Sequence, residues 1–323
     1  MNLFGNNDKN YLEEFNNDKE SLSPPFRPID RDKTDPALAA FDDLHGYASK
    51  LSGKNQNKYK WTLRLLTIVG TAIAITFLIY DELEFHWLSA VFLALLGLLI
   101  ILHIYGVMID CHRKYVEYRI LAEATRIQYY LSVRGMQKPV FEIMPWFLQN
   151  AVKWIEEPLS QLPLDEVVER KPIIDCWIID QKNYHARKLN ETKKESKRYS
   201  RWNMVLIGTT IFLYIFAFFY DFGILNLSSA IPLSPDTAHI VLKVAIGVTS
   251  VGSLLIVSYF GKLSLSEKID NHSQMKELYE QAEKEIGTMG ETPELIERLA
   301  REFLIENSAW YSYQIRNKLE LVL

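Results

Sequence analysis

The segment WLSAVFLALLGLLIILHIYGVMI, from Trp87 to Ile109, contains no Asp, Glu, Lys or Arg. About 20 consecutive apolar residues are enough for an α-helix to cross the hydrocarbon of a bilayer. The short segment DELEFH, residues 81–86, separates this run from WTLRLLTIVGTAIAITFLIY, from Trp61 to Tyr80. Because so short a link supports no other structure between two membrane spans, the two runs predict a transmembrane helical hairpin.

A second pair of apolar runs follows about a hundred residues later. NMVLIGTTIFLYIFAFFYDF, residues 203–222, and IVLKVAIGVTSVGSLLIVSYF, residues 240–260, are joined by a loop containing Pro and Ser. The fold class expected is therefore an all-α polytopic membrane protein with two transmembrane helical hairpins and a cytoplasmic helical bundle. The alternative, a soluble protein with buried core helices, is disfavoured because the charged residues fall almost wholly between the apolar runs.

Basic residues predict the orientation of the spans. They lie before the first span, after the second and before the third: Lys50, Lys54, Lys58, Lys60, Arg113, Lys114, Lys193, Lys194, Lys197, Arg198 and Arg201. Neither hairpin loop contains Lys or Arg. By the positive-inside rule both loops face outward, and both termini and the middle segment lie in the cytoplasm. The expected location is the cell inner membrane, with four passes.

The regions between the spans suggest five parts. Residues 1–40 are rich in Asn, Asp and Pro, and we expect a disordered tail. Residues 41–135 and 173–290 each read as a helix, a hairpin and a second helix, so the same layout occurs twice. Residues 136–172 form a Pro-rich cytoplasmic connector with a short helix near Trp146 to Trp154. In residues 291–323, Thr292 and Pro293 predict the start of a helix that packs through Leu295, Leu299, Phe303 and Trp310.

The segment after the second span predicts a long helix. Tyr115, Tyr118, Ala122, Thr125 and Tyr129 recur at three- and four-residue steps, and Gly135 is typical of a helix end. Since no Pro or Gly cluster separates this segment from the span, we expect one unbroken rod from Trp87 to about Arg134. Such a rod is about 70 Å long at 1.5 Å per residue.

Catalytic motifs are missing from the sequence. Gly-x-Ser-x-Gly, His-Glu-x-x-His and Cys-x-x-Cys do not occur. Asp110, Cys111 and His112 are consecutive, and side chains about 100° apart on a helix cannot converge on one atom. We therefore expect no catalytic residue, no metal, no cofactor and no enzyme activity. The net charge of -4 gives no reason to expect nucleic acid as a partner.

Ionisable residues within the spans are the best candidates for function, because they are costly in hydrocarbon. His103, Gly106 and Asp110 share one face of the second span, and Lys243 lies in the fourth span. They are candidate pore or gate residues. The alternatives are an interfacial Asp110, a Lys243 that extends to the headgroups, and a His103 satisfied by a neighbouring helix.

Small residues also form stripes on two spans. Gly70 and Ala74 on the first, and Gly247 and Ser250 on the fourth, favour close helix contact within or between subunits. We expect a homo-oligomer in the lipid bilayer.

One segment resembles a known family. RKYVEYRILAE, from Arg113 to Glu123, is followed by Arg126 and the pair Tyr129-Tyr130. This pattern resembles the Tyr-Arg-x-Leu-Ala-Glu-x-x-Arg element of the SLATT group, the SMODS- and SLOG-associating two-transmembrane effector domains, here doubled to four spans. Because the expected rod joins this segment to the second span, we interpret it as a cytoplasmic coupling helix, with Tyr118, Arg119, Glu123 and Arg126 as its candidate residues.

The resemblance implies an antiviral defence function. SLATT proteins are thought to form pores or disrupt the membrane of bacteria when a nucleotide signal or a partner activates them. No SLOG or TIR sensor is expected within this sequence, so a separate nucleotide-sensing or SLOG/TIR-type protein is the partner implied. The alternative function is a non-conducting membrane anchor or scaffold for a soluble signalling partner. An intramembrane enzyme or transporter is disfavoured because ionisable residues do not cluster in the spans.

Overall fold

The chain folds into helices joined by short connections. The structure, a computed structural model, describes residues 8–30, 35–83, 85–221, 235–263 and 265–316. No strand occurs in these ranges. Their α-helices are α1 (Asp8–Glu20), α2 (Leu38–Leu83), α3 (Trp87–Ile109), α4 (Cys111–Val133), α5 (Val140–Ile143), α6 (Trp146–Ala151), α7 (Glu156–Ser160), α8 (Asp180–Asp221), α9 (Pro235–Leu263), α10 (Leu265–Met289) and α11 (Pro293–Arg316).

Four of the described helices carry the apolar runs. α2, α3, α8 and α9 are each long and apolar enough to cross a membrane. Their large apolar side chains point outward: Ile101 is 64% exposed and Phe212 is 65% exposed. Such surfaces suit lipid, so the chain is a helical polytopic membrane protein, as the sequence predicts. Phe222, the predicted end of the third span, and residues 223–234 of the following loop lie outside the described residues.

The chain divides into two compact units. The span unit comprises Tyr59–Ile109 and Asn190–Ile269. The bundle unit comprises Met1–Lys58, Asp110–Leu189 and Asp270–Leu323. The bundle unit has the apolar core of a water-soluble domain, in which Trp177, Phe41 and Leu121 are at most 1% exposed.

Helix α4 is the centre of the bundle unit. The predicted stripe of Tyr115, Tyr118, Ala122, Thr125 and Tyr129 is buried, and so is most of the opposite face. α4 is therefore enclosed by neighbouring helices on nearly all sides. Its end matches the prediction, because Gly135 adopts φ 79° and donates its N–H to the Ser132 carbonyl at 2.8 Å.

The prediction of an unbroken rod from Trp87 to Arg134 was wrong. α3 ends at Ile109, and Asp110 adopts the left-handed conformation with φ 46° and ψ 34° before α4 begins. Asp is among the few residues other than Gly that visit this region, because its short side chain can bond locally. Here Asp110 Oδ2 accepts a 2.6 Å hydrogen bond from Arg113 Nε. A break without Pro or Gly leaves little trace in a sequence.

The prediction of a disordered tail over residues 1–40 was also wrong within the described range. Asp8–Glu20 forms α1, and Phe15 is 1% exposed. The Phe15 ring packs against Tyr118 and Trp154, with ring centroids 5.3 and 5.5 Å apart. The tail composition is polar, but one buried aromatic ring and the ion pairs of Glu14 and Asp18 with α4 fix the helix. Residues 1–7 and 31–34 lie outside the described residues.

The connector and the C-terminal helix follow the sequence closely. α6 begins at Trp146, directly after Pro145, and a 3-10 turn spans Lys153–Ile155. Thr292 Oγ1 accepts the backbone N–H of Leu295 at 3.3 Å, so Thr292 caps α11 as predicted. The expected packing residues Leu295, Leu299, Phe303 and Trp310 are all buried.

Candidate functional site

A polar cavity lies inside the bundle unit. Its empty volume is about 440 Å3 including open solvent at the mouth, but water-sized spheres fit in only about 20 Å3 of it. That inner space holds about one water molecule. Its lining comes from α4, α8, α10, α11 and the π-helix Ile174–Ile179. The polar side chains among the lining residues are Arg119, Glu123, Arg126, Gln181, His185, Asn271, Glu306 and Asn307.

Three residues of the predicted coupling helix meet in this cavity. Arg119, Glu123 and Arg126 all line it. The fourth, Tyr118, lies elsewhere: its hydroxyl donates to Asp18 Oδ2 at 2.9 Å. The Tyr-Arg-x-Leu-Ala-Glu-x-x-Arg element thus has two faces, one that holds α1 and one that forms the cavity wall.

Arg126 has three side-chain partners at the cavity wall. Its Nη1 donates to Glu123 Oε2 at 2.8 Å and to Gln181 Oε1 at 3.3 Å. Its Nη2 lies 3.1 Å from Nε2 of His45, which contributes from α2. Burial acts to raise the pKa of Glu123, but the neighbouring Arg126 and Arg119 hold that pKa below its ordinary value. Glu123 and Arg126 therefore form a charged pair that is neutral overall.

Arg119 has a different environment. Its guanidinium lies over the Trp310 ring, 4.7 Å from the centroid. It makes no hydrogen bond or ion pair with any residue in the described ranges. Glu123, four residues on, is the partner that helix spacing would offer Arg119, but Glu123 is bonded to Arg126. Arg119 consequently presents unused N–H donors to the cavity.

A histidine pair lies beside the cavity, and one of its members, His185, lines it. Nδ1 of His185 on α8 lies 3.1 Å from Nδ1 of His272 on α10, so one ring donates and the other accepts. Burial lowers the pKa of His185 to about 3, and the nearby His272, Arg119 and Arg126 add to that shift. His185 is therefore neutral at pH 7. No pattern in the sequence indicates this pair, because the two residues are far apart in the chain.

The aromatic floor of the cavity is part of the core. The Trp177 ring stacks on Tyr130 with centroids 4.7 Å apart, and Phe303 stacks on Tyr279 with centroids 4.5 Å apart. These rings are buried, so they support the polar wall and are not open to a ligand.

The predicted pore residues do not share one environment. Gly106 lies against α2, where a Cβ atom would meet Thr62 Cγ2 at 3.0 Å. Asp110 belongs to the bundle unit and pairs with Arg113. Lys243 Nζ lies 3.3 Å from Glu82 Oε1. His103 is half-buried and makes no hydrogen bond with any residue that the structure describes.

The small residues of the spans also lie in different environments. A Cβ atom at Gly247 would meet Leu78 Cδ1 of α2 at 2.8 Å, so Gly247 permits a close helix contact. The Ser250 hydroxyl donates to the Ile246 carbonyl of its own helix at 2.7 Å. No described atom lies within 4 Å of the position of a Cβ at Gly70, and Ala74 is half-buried. The face of Gly70 is therefore open within the described chain.

Hydrogen bonds between two spans come from residues that the sequence did not single out. Thr210 Oγ1 on α8 donates to Thr249 Oγ1 on α9 at 2.8 Å, and Ser253 Oγ donates to Asn203 Oδ1 at 2.7 Å. These bonds join the second hairpin inside the span unit. Groups of three or more His, Cys, Asp or Glu with the geometry of a metal site do not occur in the described residues.

Comparison of the chain with protein-family models, with curated proteins and with solved structures finds no match.

Proposed function

We propose that the protein is a membrane effector whose bundle unit receives a chemical signal and whose spans then form a pore or disrupt the bilayer. In this proposal the setting is a bacterial conflict or anti-phage defence system, as the resemblance to the SLATT group suggests. The signal is a nucleotide or a partner protein, such as a separate SLOG- or TIR-type sensor.

The observation that carries the proposal concerns α8. Gln181 and His185, in the first two turns of α8, line the cavity. The same helix continues without a break from Asp180 to Asp221 and includes the third span. A ligand that moved these two side chains would therefore act on a helix that also crosses the membrane. A helix is stiff over this length, so displacement at one end is transmitted along it.

The location proposed is the inner membrane with both termini in the cytoplasm, which the Lys/Arg distribution supports. Cysteines placed at Glu84 and Ser229, which lie outside the described residues, should react with an impermeant maleimide from outside sealed cells. A cysteine at Ser160, an exposed residue at the end of α7, should not react. Labelling at Ser160 would contradict the proposed orientation.

Pore formation requires several copies of the chain. Among the candidate pore residues with a polar side chain, Asp110 and Lys243 have partners, whereas His103 makes no hydrogen bond with a described residue. We therefore propose that His103 faces the conducting path of a homo-oligomer. Conduction needs polar or hydrated groups along the path. His103→Leu should then reduce the current without reducing insertion, because Leu suits the bilayer. His86→Leu, at the outer end of the same hairpin, is the matched control and should conduct as wild type.

The test uses purified protein in dye-loaded liposomes and in a planar bilayer. A small-molecule extract of phage-infected bacteria supplies the signal, and an extract of uninfected cells is the control. We expect leakage and current with the first extract. Sealed liposomes and a silent bilayer under both conditions would refute the pore and leave the anchor in its place.

A specific observation favours that second candidate, a non-conducting anchor or scaffold. Within the span unit, Lys243 pairs with Glu82, Thr210 with Thr249 and Ser253 with Asn203. Polar side chains that satisfy one another in this way can hold hairpins together without providing a wet path. The anchor predicts an unchanged bilayer under every condition.

A further inference from the structure

We infer that the cavity of the bundle unit binds the phosphate group of a small-molecule ligand, with Arg119 as the residue that recognises it. As an account of activation this inference rests on the proposed function, but the binding itself does not.

Hydrogen-bonding capacity is the first argument. A guanidinium carries five N–H donors in a planar fork that matches the oxygens of a phosphate. Arg119 donates none of them to the described residues and is held over the Trp310 ring. The amide of Asn307, which also lines the cavity, likewise makes no hydrogen bond with a described residue. Unused donors in one place call for a ligand with several acceptors.

Charge is the second argument. Glu123 and Arg126 cancel each other at 2.8 Å, and His185 is neutral. Glu306 is the remaining acid in the lining, and its carboxylate accepts a hydrogen bond from Asn271. Glu306 also acts on the charge of Arg119, so both groups contribute to the potential that a ligand meets. A phosphate would be attracted by Arg119 and opposed by Glu306.

Size sets the third condition. The inner space admits about one water molecule, so an entering phosphate has to displace side chains. Arg119, Glu306 and Asn307 are only partly buried, whereas Trp177 and Phe303 are fixed in the core, so the first three are the side chains that binding would displace. The phosphate group would enter between the movable side chains, and the remainder of the ligand would lie at the mouth. Movement of this wall is the means by which binding would act on His185 and α8.

The experiment titrates inorganic pyrophosphate into the full chain in neutral detergent and follows the thermal unfolding midpoint, with sodium chloride at equal ionic strength as reference. Wild type should show a saturable rise in the midpoint, since a ligand that binds the folded state stabilises it. Arg119→Met should weaken the affinity at least about tenfold, the loss of a bidentate charged contact. Arg119→Lys should recover part of the affinity, because it keeps the charge and loses the fork.

Two further variants make the result specific. Glu306→Gln should bind pyrophosphate several-fold more tightly than wild type, because it removes the opposing charge. Arg187→Met is the matched control. Arg187 also lies over an aromatic ring, 5.9 Å from the centroid of Tyr184, but it is outside the cavity lining. The Arg187→Met variant should therefore bind pyrophosphate with the affinity of wild type.

Three outcomes would overturn the inference. The unfolding midpoint of wild type could rise no more with pyrophosphate than with chloride, or the pyrophosphate affinity of Arg119→Lys or Arg119→Met could equal that of wild type. The third outcome is that micelles of phosphatidylglycerol abolish the pyrophosphate signal, which would indicate a site for a lipid headgroup. Pore formation is tested separately from pyrophosphate binding. Pyrophosphate binding with a silent bilayer would reject the pore and keep the site, and leakage unaffected by Arg119→Met would do the reverse.

Discussion

Helices α3 and α4 follow each other in the chain, separated by Asp110, and are equal in length at 23 residues. α3 is almost entirely apolar, yet Leu88 is its single buried residue in the described structure. α4 contains Arg, Lys, Glu, Gln and Tyr, yet nearly all of it is buried. The more hydrophobic helix is thus the less covered by protein. An apolar helix that its own chain leaves uncovered suits lipid, whereas α4 is enclosed because its polar groups find partners inside the bundle unit.

The strongest test of this difference removes a buried charge. Arg113 donates to Asp110, Glu14 and Glu117, and Glu117 also accepts the Trp154 indole N–H at 2.8 Å. Arg113→Met leaves Glu117 buried without its counter-ion, so we expect a loss of about 3–5 kcal/mol in the free energy of unfolding. Urea titration followed by circular dichroism measures it. The exposed Arg187→Met should change stability by less than about 0.5 kcal/mol. Equal losses would mean that the Arg113 network does not stabilise α4.

The second test compares one aliphatic truncation in each helix. Leu121 in α4 is fully buried, whereas Ile101 in α3 is 64% exposed. Leu121→Ala should cost about 2–5 kcal/mol through the cavity it leaves. Ile101→Ala should cost less than about 0.5 kcal/mol, because it opens no protein cavity. If Ile101→Ala proved the more costly in thermal unfolding in detergent, α3 would have to be covered by protein, as at an interface between copies.

A third test uses pH. Burial, together with the adjacent Arg126, lowers the pKa of His45 to about 3 from its ordinary 6.5. Protons therefore bind the unfolded chain more readily, and the stability present above pH 6.5 is lost as the pH falls towards 3. His45→Gln offers Arg126 an acceptor that does not titrate. Between about pH 6 and 4 its unfolding free energy should fall less steeply than that of wild type, by about 1.4 kcal/mol per pH unit. A wild-type slope in His45→Gln would mean that His45 does not stay neutral.

The smallest effect is expected at the junction of the two helices. Asp110 holds φ 46°, where a residue with a Cβ atom is strained and Gly is not. Asp110→Gly and Asp110→Ala both lose the bond from Arg113, so the difference between them isolates the backbone. Asp110→Ala should be less stable than Asp110→Gly by about 1 kcal/mol in thermal unfolding. Equal stabilities would indicate that α3 and α4 join into one helix in solution.

The sequence predicted different amounts of structure in the two units. In the spans, the apolar runs alone predicted four membrane helices, because length and hydropathy are sufficient to specify a helix in lipid. The pattern of Tyr115 to Tyr129 located one buried face of α4, and Thr292 located the start of α11. In the site, the sequence singled out Arg119, Glu123 and Arg126 but gave no reason for them to face a cavity. It missed His185, which lines the cavity, and also His45 and His272, which contact Arg126 and His185 from other helices.

What the sequence by itself determined is therefore the set of helices and their separation into apolar and polar stretches, since both depend on residues close together in the chain. Three things were decided by the tertiary structure: the break at Asp110, the ordering of α1 by Phe15, and the unequal partners of Arg119 and Arg126. The last two depend on contacts between residues distant in sequence, and the break at Asp110 contains no Pro or Gly that would mark it. Glu123 pairs with Arg126 rather than Arg119 because Gln181 and His45 also bind Arg126, while Trp310 holds Arg119 aside. Only the packed bundle unit brings those side chains together.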